Sequence, residues 1–178
     1  MTINQLVSSH ALLRGVTFSF PSGKGYNACM KVVTKNAEET KKVGGNFVTT
    51  LKPQKERATV VCLVGDLGAG KTTFVQGLAF ALAIKETIQS PTFVLMKRFS
   101  IAAPFKNLIH VDAYRIDDEK ELEQLDFKEI LSDSGNLIII EWPERIKNSI
   151  PENALNVSFS FIDDVTREIT LPDYADKK

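Results

Sequence analysis

The segment GDLGAGKTT, residues 65–73, contains the residue types that hold a phosphate group. Four positions match the pattern GxxxxGK[ST]: Gly65, Gly70, Lys71 and Thr72. Glycines let the backbone turn tightly, so that its N–H groups surround phosphate oxygens. In such a loop Lys71 reaches the β and γ phosphates, Thr72 ligates Mg²⁺, and Thr73 can touch the α phosphate. An apolar run precedes the pattern and a helical pattern follows it, so we predict a nucleotide-binding loop.

Two acidic residues at the ends of apolar runs are candidates for the metal side of this site. Glu141 follows NLIII, and Asp112 follows NLIHV. A phosphate-loop site needs a carboxylate at the end of a neighbouring strand, to hold Mg²⁺ or to orient water. The alternative for either acid is a solvated strand end or an ion pair with Arg115 or Arg145. His110 precedes Asp112 by two residues, and a buried, hydrogen-bonded histidine is favoured there over a catalytic one.

Two interpretations stay open for each of two further residues, Thr92 and Trp142. Thr92 follows Ser90-Pro91 about 20 residues after the loop, where it could lie near the γ phosphate or simply begin a strand. Trp142 could stack near the nucleotide or fill the rim of the core. The sequence alone does not decide between these roles.

The elements that must position these residues alternate between strand and helix. We predict strands at 30–34, 58–64, 92–101, 107–114 and 136–142, and a terminal hairpin formed by 154–162 and 166–171. We predict helices from Ala37 to about Leu51 after an Asn36 cap, from Lys71 onward, and over 117–131.

This alternation predicts an α/β fold. We expect a P-loop NTPase-like, three-layer architecture with a mostly parallel central sheet and a C-terminal antiparallel hairpin. Ligands of such sheets bind at the carboxyl ends of the strands, where the glycine loop and both acids would meet.

Composition excludes several classes of protein. The 22 basic and 22 acidic side chains cancel, so no overall field attracts the chain to DNA or to an anionic membrane. We expect any contact with RNA to come through a partner or through a local patch. The longest apolar runs are shorter than the roughly 20 residues that span a bilayer. Cys29 and Cys62 stand in no CxxC pattern, and a cytoplasmic location fits best.

Residues 1–29 differ from the remainder, because they contain no Asp or Glu. They could be an organellar transit segment, a flexible extension, or the product of a start codon placed too early. We therefore predict a single P-loop domain over residues 30–178. If residues 1–29 are a transit segment, the alternative to a cytoplasmic location is an organellar one.

The motifs also bear on which nucleotide is bound. The DxxG and N/TKxD patterns of Ras-type GTPases and an LSGGQ-like signature are missing, so ATP is favoured. A small-molecule kinase is a rival interpretation, but its lid would need clustered arginines, and the six arginines are dispersed along the chain. A second rival is a module in which nucleotide binding only switches assembly.

The motifs GDLGAGKTT, SPTF, HVDAYR and EWPERI, in this order, resemble the TsaE family, formerly YjeE. The likeness runs from about Met30 to Leu171. These are small bacterial P-loop ATPases of tRNA threonylcarbamoyladenosine biosynthesis. The resemblance implies slow, Mg²⁺-dependent ATP hydrolysis in concert with a TsaD-TsaB heterodimer. That heterodimer transfers threonylcarbamoyl to N6 of adenosine 37 in ANN-decoding tRNAs, and the ATPase itself does not.

The resemblance also assigns roles to matched positions. It implies that Gly68, Ala69, Gly70, Lys71, Thr72 and Thr73 hold the phosphates. Thr72 and Glu141 would ligate Mg²⁺, with Asp112 as a further metal candidate that hydrolysis requires. Thr92 takes a switch-like position, Trp142 follows the metal glutamate, and Asn36 with Ala37 would help enclose the adenosine. Ala83 and Asp126 stand where the family commonly has glycine.

Overall fold

The computed structural model describes residues 17–19, 29–89 and 95–172. The described residues form one eight-stranded sheet. Its strands are β1 (Thr17–Ser19), β2 (Met30–Thr34), β3 (Thr59–Val64), β4 (Met96–Ser100), β5 (Asn107–Asp112), β6 (Asn136–Glu141), β7 (Leu155–Phe161) and β8 (Arg167–Leu171). They lie in the order β1-β2-β8-β7-β3-β6-β5-β4.

The centre of this sheet is parallel and its edges are antiparallel. β3 lies between β7 and β6 and is parallel to both, and β6 is parallel to β5. β4, β8, β2 and β1 join by antiparallel pairing. The predicted C-terminal hairpin is therefore present, and its first strand also belongs to the parallel core.

Strands β5 and β6 are buried along their whole length, which explains their unbroken apolar sequences. A strand covered on both faces has no side open to solvent and so needs no polar alternation. The predicted β-branched strand before the glycine loop is confirmed as β3, with every residue buried except Val64.

Helices cover both faces of the sheet, as the predicted three-layer fold requires. α1 (Ala37–Thr50) and α2 (Lys71–Ala81) pack on the face that carries Val61 and Leu63. The opposite face carries Val60 and Cys62. It is covered by α3 (Phe127–Ser132) and by 3₁₀ helices at Glu119–Leu125 and Pro143–Ser149.

One helix prediction was wrong. The segment 117–131 does not form a single helix, since the 3₁₀ helix ends and α3 begins at Asp126, whose φ is 51°. A left-handed residue cannot continue a right-handed helix. The capping box of Asp118 and Glu121 is present at the start. Ala83, the other residue where the family commonly has glycine, also has a positive φ of 57°.

No helix among the described residues is both long enough and apolar enough to cross a membrane.

Candidate functional site

The glycine loop connects β3 to α2 along the top of the parallel core. Gly65 has a φ of 153°, and a Cβ there would lie 2.6 Å from the carbonyl oxygen of Phe159 on β7. Any other residue would collide with that neighbouring strand. Ala69 N–H donates to the carbonyl of Asp66 at 3.2 Å, which closes a tight turn inside the loop. The first glycine of the motif is thus fixed by the sheet itself.

The two helices beside the loop begin differently. Asn36 caps α1 by accepting a hydrogen bond from Glu39 N–H at 2.9 Å. α2 begins after Gly70, at a φ of 99°, with no side-chain cap. The first four N–H groups of a helix have no partner within the helix. Because α2 also carries a positive dipole end there, its start suits an anion.

Lys71 lies at the start of α2 with only 5% of its surface exposed. Its ammonium donates to the carbonyl oxygens of Gly65 at 2.6 Å and Asp66 at 2.9 Å. The Nζ atom also lies 3.9 Å from the ring centre of Trp142.

Burial lowers the pKa of the Lys71 ammonium, and four carboxylates oppose that shift. These belong to Glu141, Glu144, Asp112 and Asp66. The ammonium is therefore a buried cation within a region of negative charge.

The predicted metal ligands meet directly. Thr72 Oγ1 lies 3.0 Å from both carboxylate oxygens of Glu141. His110 Nε2 lies 2.9 Å from Glu141 Oε1, and both side chains are almost fully buried. His110 is therefore the buried, hydrogen-bonded histidine that the sequence favoured, and it fixes the rotamer of Glu141.

Asp112 lies beside Glu141. The two residues are register partners at the ends of the parallel strands β5 and β6. Asp112 is 2% exposed, and its Oδ1 accepts a hydrogen bond from Tyr114 N–H at 3.0 Å. The prediction that both acids lie at neighbouring strand ends is confirmed.

Trp142 forms the wall next to the lysine. Its backbone is left-handed, with a φ of 60°, and this turns the chain sharply after Glu141. Its ring packs against that of Tyr114, with 4.9 Å between centroids. Trp142 thus contacts the ammonium of the phosphate loop.

Some predicted residues lie apart from this cluster or outside the described residues. Thr92 lies in 90–94, outside the described residues, so its role stays a prediction. Asn36 and Ala37 begin α1, and Thr40, one turn later, packs close to Gly70. A Cβ on Gly70 would lie 3.7 Å from Thr40 Cγ2. The proposed contact of Asn36 and Ala37 with adenosine stays a prediction.

Sequence reasoning missed Arg167, whose guanidinium donates to the carbonyl oxygen of Gly68 from Nε at 3.3 Å and from Nη2 at 3.2 Å. The two residues are 99 positions apart, and no spacing in the sequence connects them. The dispersion of the arginines along the chain was therefore a poor guide to their distance from the site.

The donor set fits a magnesium ion that is shared with a nucleotide. Among the described residues, no cluster of three or more His, Cys, Asp or Glu side chains could hold a metal by itself. Mg²⁺ is commonly bound by one or two carboxylates together with substrate phosphates and water. The hard oxygens of Thr72 and Glu141, adjacent to the phosphate loop, match that arrangement.

Comparisons with known proteins identify the family of this chain. The family model described as "Threonylcarbamoyl adenosine biosynthesis protein TsaE" matches residues 34–169. The chain belongs to the TsaE family. Proteins of this family take part in threonylcarbamoyladenosine biosynthesis. The family resemblance in the four sequence motifs is thereby confirmed.

Individual TsaE proteins match over most of their length. The protein from Treponema pallidum (strain Nichols) is 35% identical over 142 residues, which are 80% of this chain and 99% of that protein. The one from Bacillus subtilis (strain 168) is 36% identical over 141 residues, 79% of this chain and 84% of that protein. The solved structure titled "Crystal structure of Bacillus subtilus YdiB" superposes with a TM-score of 0.62 at 30% identity, covering 82% of this chain and 85% of that one.

Proposed function

We propose that this TsaE-family chain binds ATP with Mg²⁺ and hydrolyses it slowly. We further propose that this activity supports threonylcarbamoylation at N6 of adenosine 37 in ANN-decoding tRNAs. The chain acts with a TsaD-TsaB complex and does not perform the transfer itself. One observation carries the proposal: the Thr72 hydroxyl lies 3.0 Å from the Glu141 carboxylate, directly beside the buried Lys71.

The phosphate side of the proposal rests on two kinds of group at the start of α2, its free N–H groups and the ammonium of Lys71. The turn at Gly70 leaves the helix without a side-chain cap, so the N–H groups of its first turn can donate to phosphate oxygens. The ammonium of Lys71 lies in the same loop and supplies the positive charge that the β and γ phosphates require.

The negative surroundings of Lys71 support the requirement for a metal. Four carboxylates act on this single ammonium, and ATP would bring several further negative charges. A bound Mg²⁺ ion would offset that repulsion and would supply polarisation of the terminal phosphate. Thr72 and Glu141 would hold the ion, and His110 keeps Glu141 in place. Asp112, at the neighbouring strand end, would orient water for hydrolysis.

Slow hydrolysis is consistent with how the cations of the site are used. Lys71 is the cation assigned to the phosphates, whereas the guanidinium of Arg167 donates to the carbonyl oxygen of Gly68. A cationic or water-positioning group supplied in trans can raise the rate of phosphoryl transfer by about 10³ to 10⁵. A partner that completes the site would therefore control the rate.

The partner is also the route to RNA. The chain has 22 basic and 22 acidic side chains, so it lacks the net positive charge that draws proteins to nucleic acid. We propose that tRNA is recognised by the TsaD-TsaB complex.

The test is ATP hydrolysis by this protein alone and with purified TsaD and TsaB. Lys71→Ala serves as the blank and Lys128→Ala as the matched control, because the Lys128 side chain is 91% exposed on α3. We expect weak hydrolysis alone, stimulation by the partners, loss of both in Lys71→Ala, and no change in Lys128→Ala. Equal rates with and without the partners would contradict partner dependence, and no hydrolysis in either condition would contradict the proposed ATPase activity.

A further inference from the structure

Arg167 connects the C-terminal hairpin to the phosphate loop. It is the first residue of β8, and its guanidinium extends from the hairpin to the carbonyl oxygen of Gly68. The third nitrogen, Nη1, donates to the carbonyl oxygens of Asp163 at 2.6 Å and Thr166 at 2.9 Å. All three guanidinium nitrogens are thus used, on three carbonyls in two different segments.

The guanidinium is held in this pose from the hairpin side. Its carbon lies 4.6 Å from the ring centre of Phe161, which is the cross-strand partner of Arg167. Asp163 Oδ1 accepts hydrogen bonds from the N–H groups of Val165 at 3.0 Å and Thr166 at 2.8 Å. These bonds fix the turn whose carbonyl oxygens accept hydrogen bonds from Nη1. Contacts within the hairpin therefore orient the guanidinium toward the loop.

Holding the Gly68 carbonyl fixes an N–H group of the phosphate loop. In a trans peptide the carbonyl of one residue and the N–H of the next point in opposite directions. The N–H of Ala69 therefore points away from Arg167, and it donates to the carbonyl of Asp66 at 3.2 Å. The same Asp66 carbonyl accepts from Lys71 Nζ at 2.9 Å. Rotation of the 68–69 peptide would break the hydrogen bonds from Arg167 to Gly68 and from Ala69 to Asp66.

We propose that Arg167 is a positioning residue for the phosphate-binding loop. By clamping the peptide between Gly68 and Ala69, it keeps the loop in the form that receives the diphosphate portion of a nucleotide. This inference rests on the proposed function, since it assumes that the loop binds ADP and ATP. The loop holds the phosphates common to both nucleotides, so the clamp acts on ADP and ATP alike.

Lysine cannot replace arginine in this role. An ammonium is a point donor on a flexible stem, whereas the guanidinium is a planar fork that can serve three carbonyls at once. Charge alone should therefore not restore the function. We expect Arg167→Lys and Arg167→Ala each to weaken binding of MgADP and MgATP about tenfold, the loss typical of a charge-assisted hydrogen bond.

The experiment is calorimetric titration of MgADP and MgATP into wild type, Arg167→Lys, Arg167→Ala and Glu168→Ala, with a thermal unfolding curve for each protein. Glu168 is the matched control, because it is the next residue on β8 and pairs with Lys31 at 2.8 Å. We expect Glu168→Ala to bind both nucleotides like wild type. If Arg167→Ala does not fold, Arg167→Lys carries the test.

Steady-state kinetics with the TsaD-TsaB complex give a second measurement. A positioning role should raise KM for ATP and leave kcat within about threefold, because saturating nucleotide restores the loop. A merely structural role would lower the unfolding temperature and leave both affinities unchanged.

Three results would overturn the inference. The first is nucleotide binding within about twofold of wild type in both arginine variants. The second is full recovery in Arg167→Lys, which would assign the effect to charge. The third is weaker ATP binding with normal ADP binding, which would make Arg167 a ligand of the terminal phosphate. Failure of wild type to bind either nucleotide would instead remove the proposed function itself.

Discussion

Replacing Gly77 by alanine should destabilise the protein by about 2 kcal/mol, because α1 and α2 cross with their backbones in contact. A Cβ on Gly77 would lie 1.9 Å from the carbonyl oxygen of Lys41, and a Cβ on Gly44 would lie 2.1 Å from that of Phe74. Each neighbouring atom belongs to the facing helix backbone and cannot turn aside as a side chain could. The helices must therefore separate.

The magnitude follows from the size of that separation. Ordinary contact begins at 3.4 Å, so the Gly77 contact must lengthen by about 1.5 Å. Overpacking of a core costs about 1 to 3 kcal/mol, and a shift of two whole helices belongs at the upper limit. The higher helix propensity of alanine relative to glycine offsets about 1 kcal/mol of this loss in stability. The net loss is about 2 kcal/mol.

Gly45 supplies the matched control, because it lies in the same helix next to Gly44. A Cβ at Gly45 would lie 3.2 Å from its nearest neighbour, the carbonyl oxygen of Gly77, which requires only a small adjustment. Gly45→Ala should therefore leave stability unchanged or raise it by up to about 1 kcal/mol.

Urea unfolding measures the difference. With a slope of about 2 kcal/mol per molar urea, Gly77→Ala should lower the midpoint by about 1 M at unchanged slope. The double variant Gly44→Ala with Gly77→Ala should lose less than the sum of the single variants, because one separation of the helices relieves both contacts. Equal midpoints for Gly77→Ala and Gly45→Ala would refute the backbone-contact argument.

Four further predictions concern individual side chains. Thr72→Val should remove the gain in ATP affinity that Mg²⁺ provides, a gain of at least about tenfold, whereas Thr72→Ser should retain that gain. Titrations of ATP with Mg²⁺ and with EDTA measure the difference. An effect of Mg²⁺ on ATP affinity in the valine variant would contradict the prediction. Asp112→Asn should slow phosphate release by about 10² or more while ATP binding persists, and a parallel loss of binding would contradict its role in hydrolysis. Burial lowers the pKa of Lys71 from 10.5, so the unfolded chain binds more protons between the two pKa values. Wild type should accordingly gain stability relative to Lys71→Met as pH rises through that window, and unfolding midpoints that run parallel with pH would contradict this. Burial raises the pKa of the Cys62 thiol to about 12. A thiol reagent at neutral pH should therefore modify Cys62 only upon unfolding. Rapid modification of Cys62 in the native protein would show that β3 is accessible to solvent.

The parts of the fold that were predictable depend on local chemistry. The burial of β3 and β6 follows from unbroken apolar sequences, and the start of α1 follows from the Asn36 side chain. The phosphate loop is a single short segment, so its residue types already specify its shape. The positions of Asp112 and Glu141 follow from the lengths of their apolar strands, because neighbouring parallel strands end at the same edge of a sheet.

The parts that were not predictable depend on tertiary contacts or on single backbone angles. The break at Asp126 is one left-handed residue inside a pattern with helical spacing. The contact of Trp142 with Lys71 depends on how the chain turns after β6. The hydrogen bonds from Arg167 to Gly68 join residues 99 positions apart, which the pairings of β8 with β7 and of β7 with β3 bring together.

The contacts around the phosphate loop hold its backbone in place, whereas the side chain of Lys71 must move for a nucleotide to bind. Gly65 is fixed against β7, Gly68 is held by Arg167 from β8, and Thr40 of α1 packs at Gly70. The backbone of the loop is thus restrained on several sides by the protein itself. Lys71 differs, because its ammonium donates to carbonyls of the loop itself and must exchange those bonds to reach a phosphate. Binding should therefore require movement of one side chain across a rigid backbone. Loosening the backbone of the loop would lower the affinity for ADP and for ATP alike. Loss of the Lys71 ammonium would instead lower the affinity for ATP most, because only ATP has a γ phosphate for the ammonium to contact.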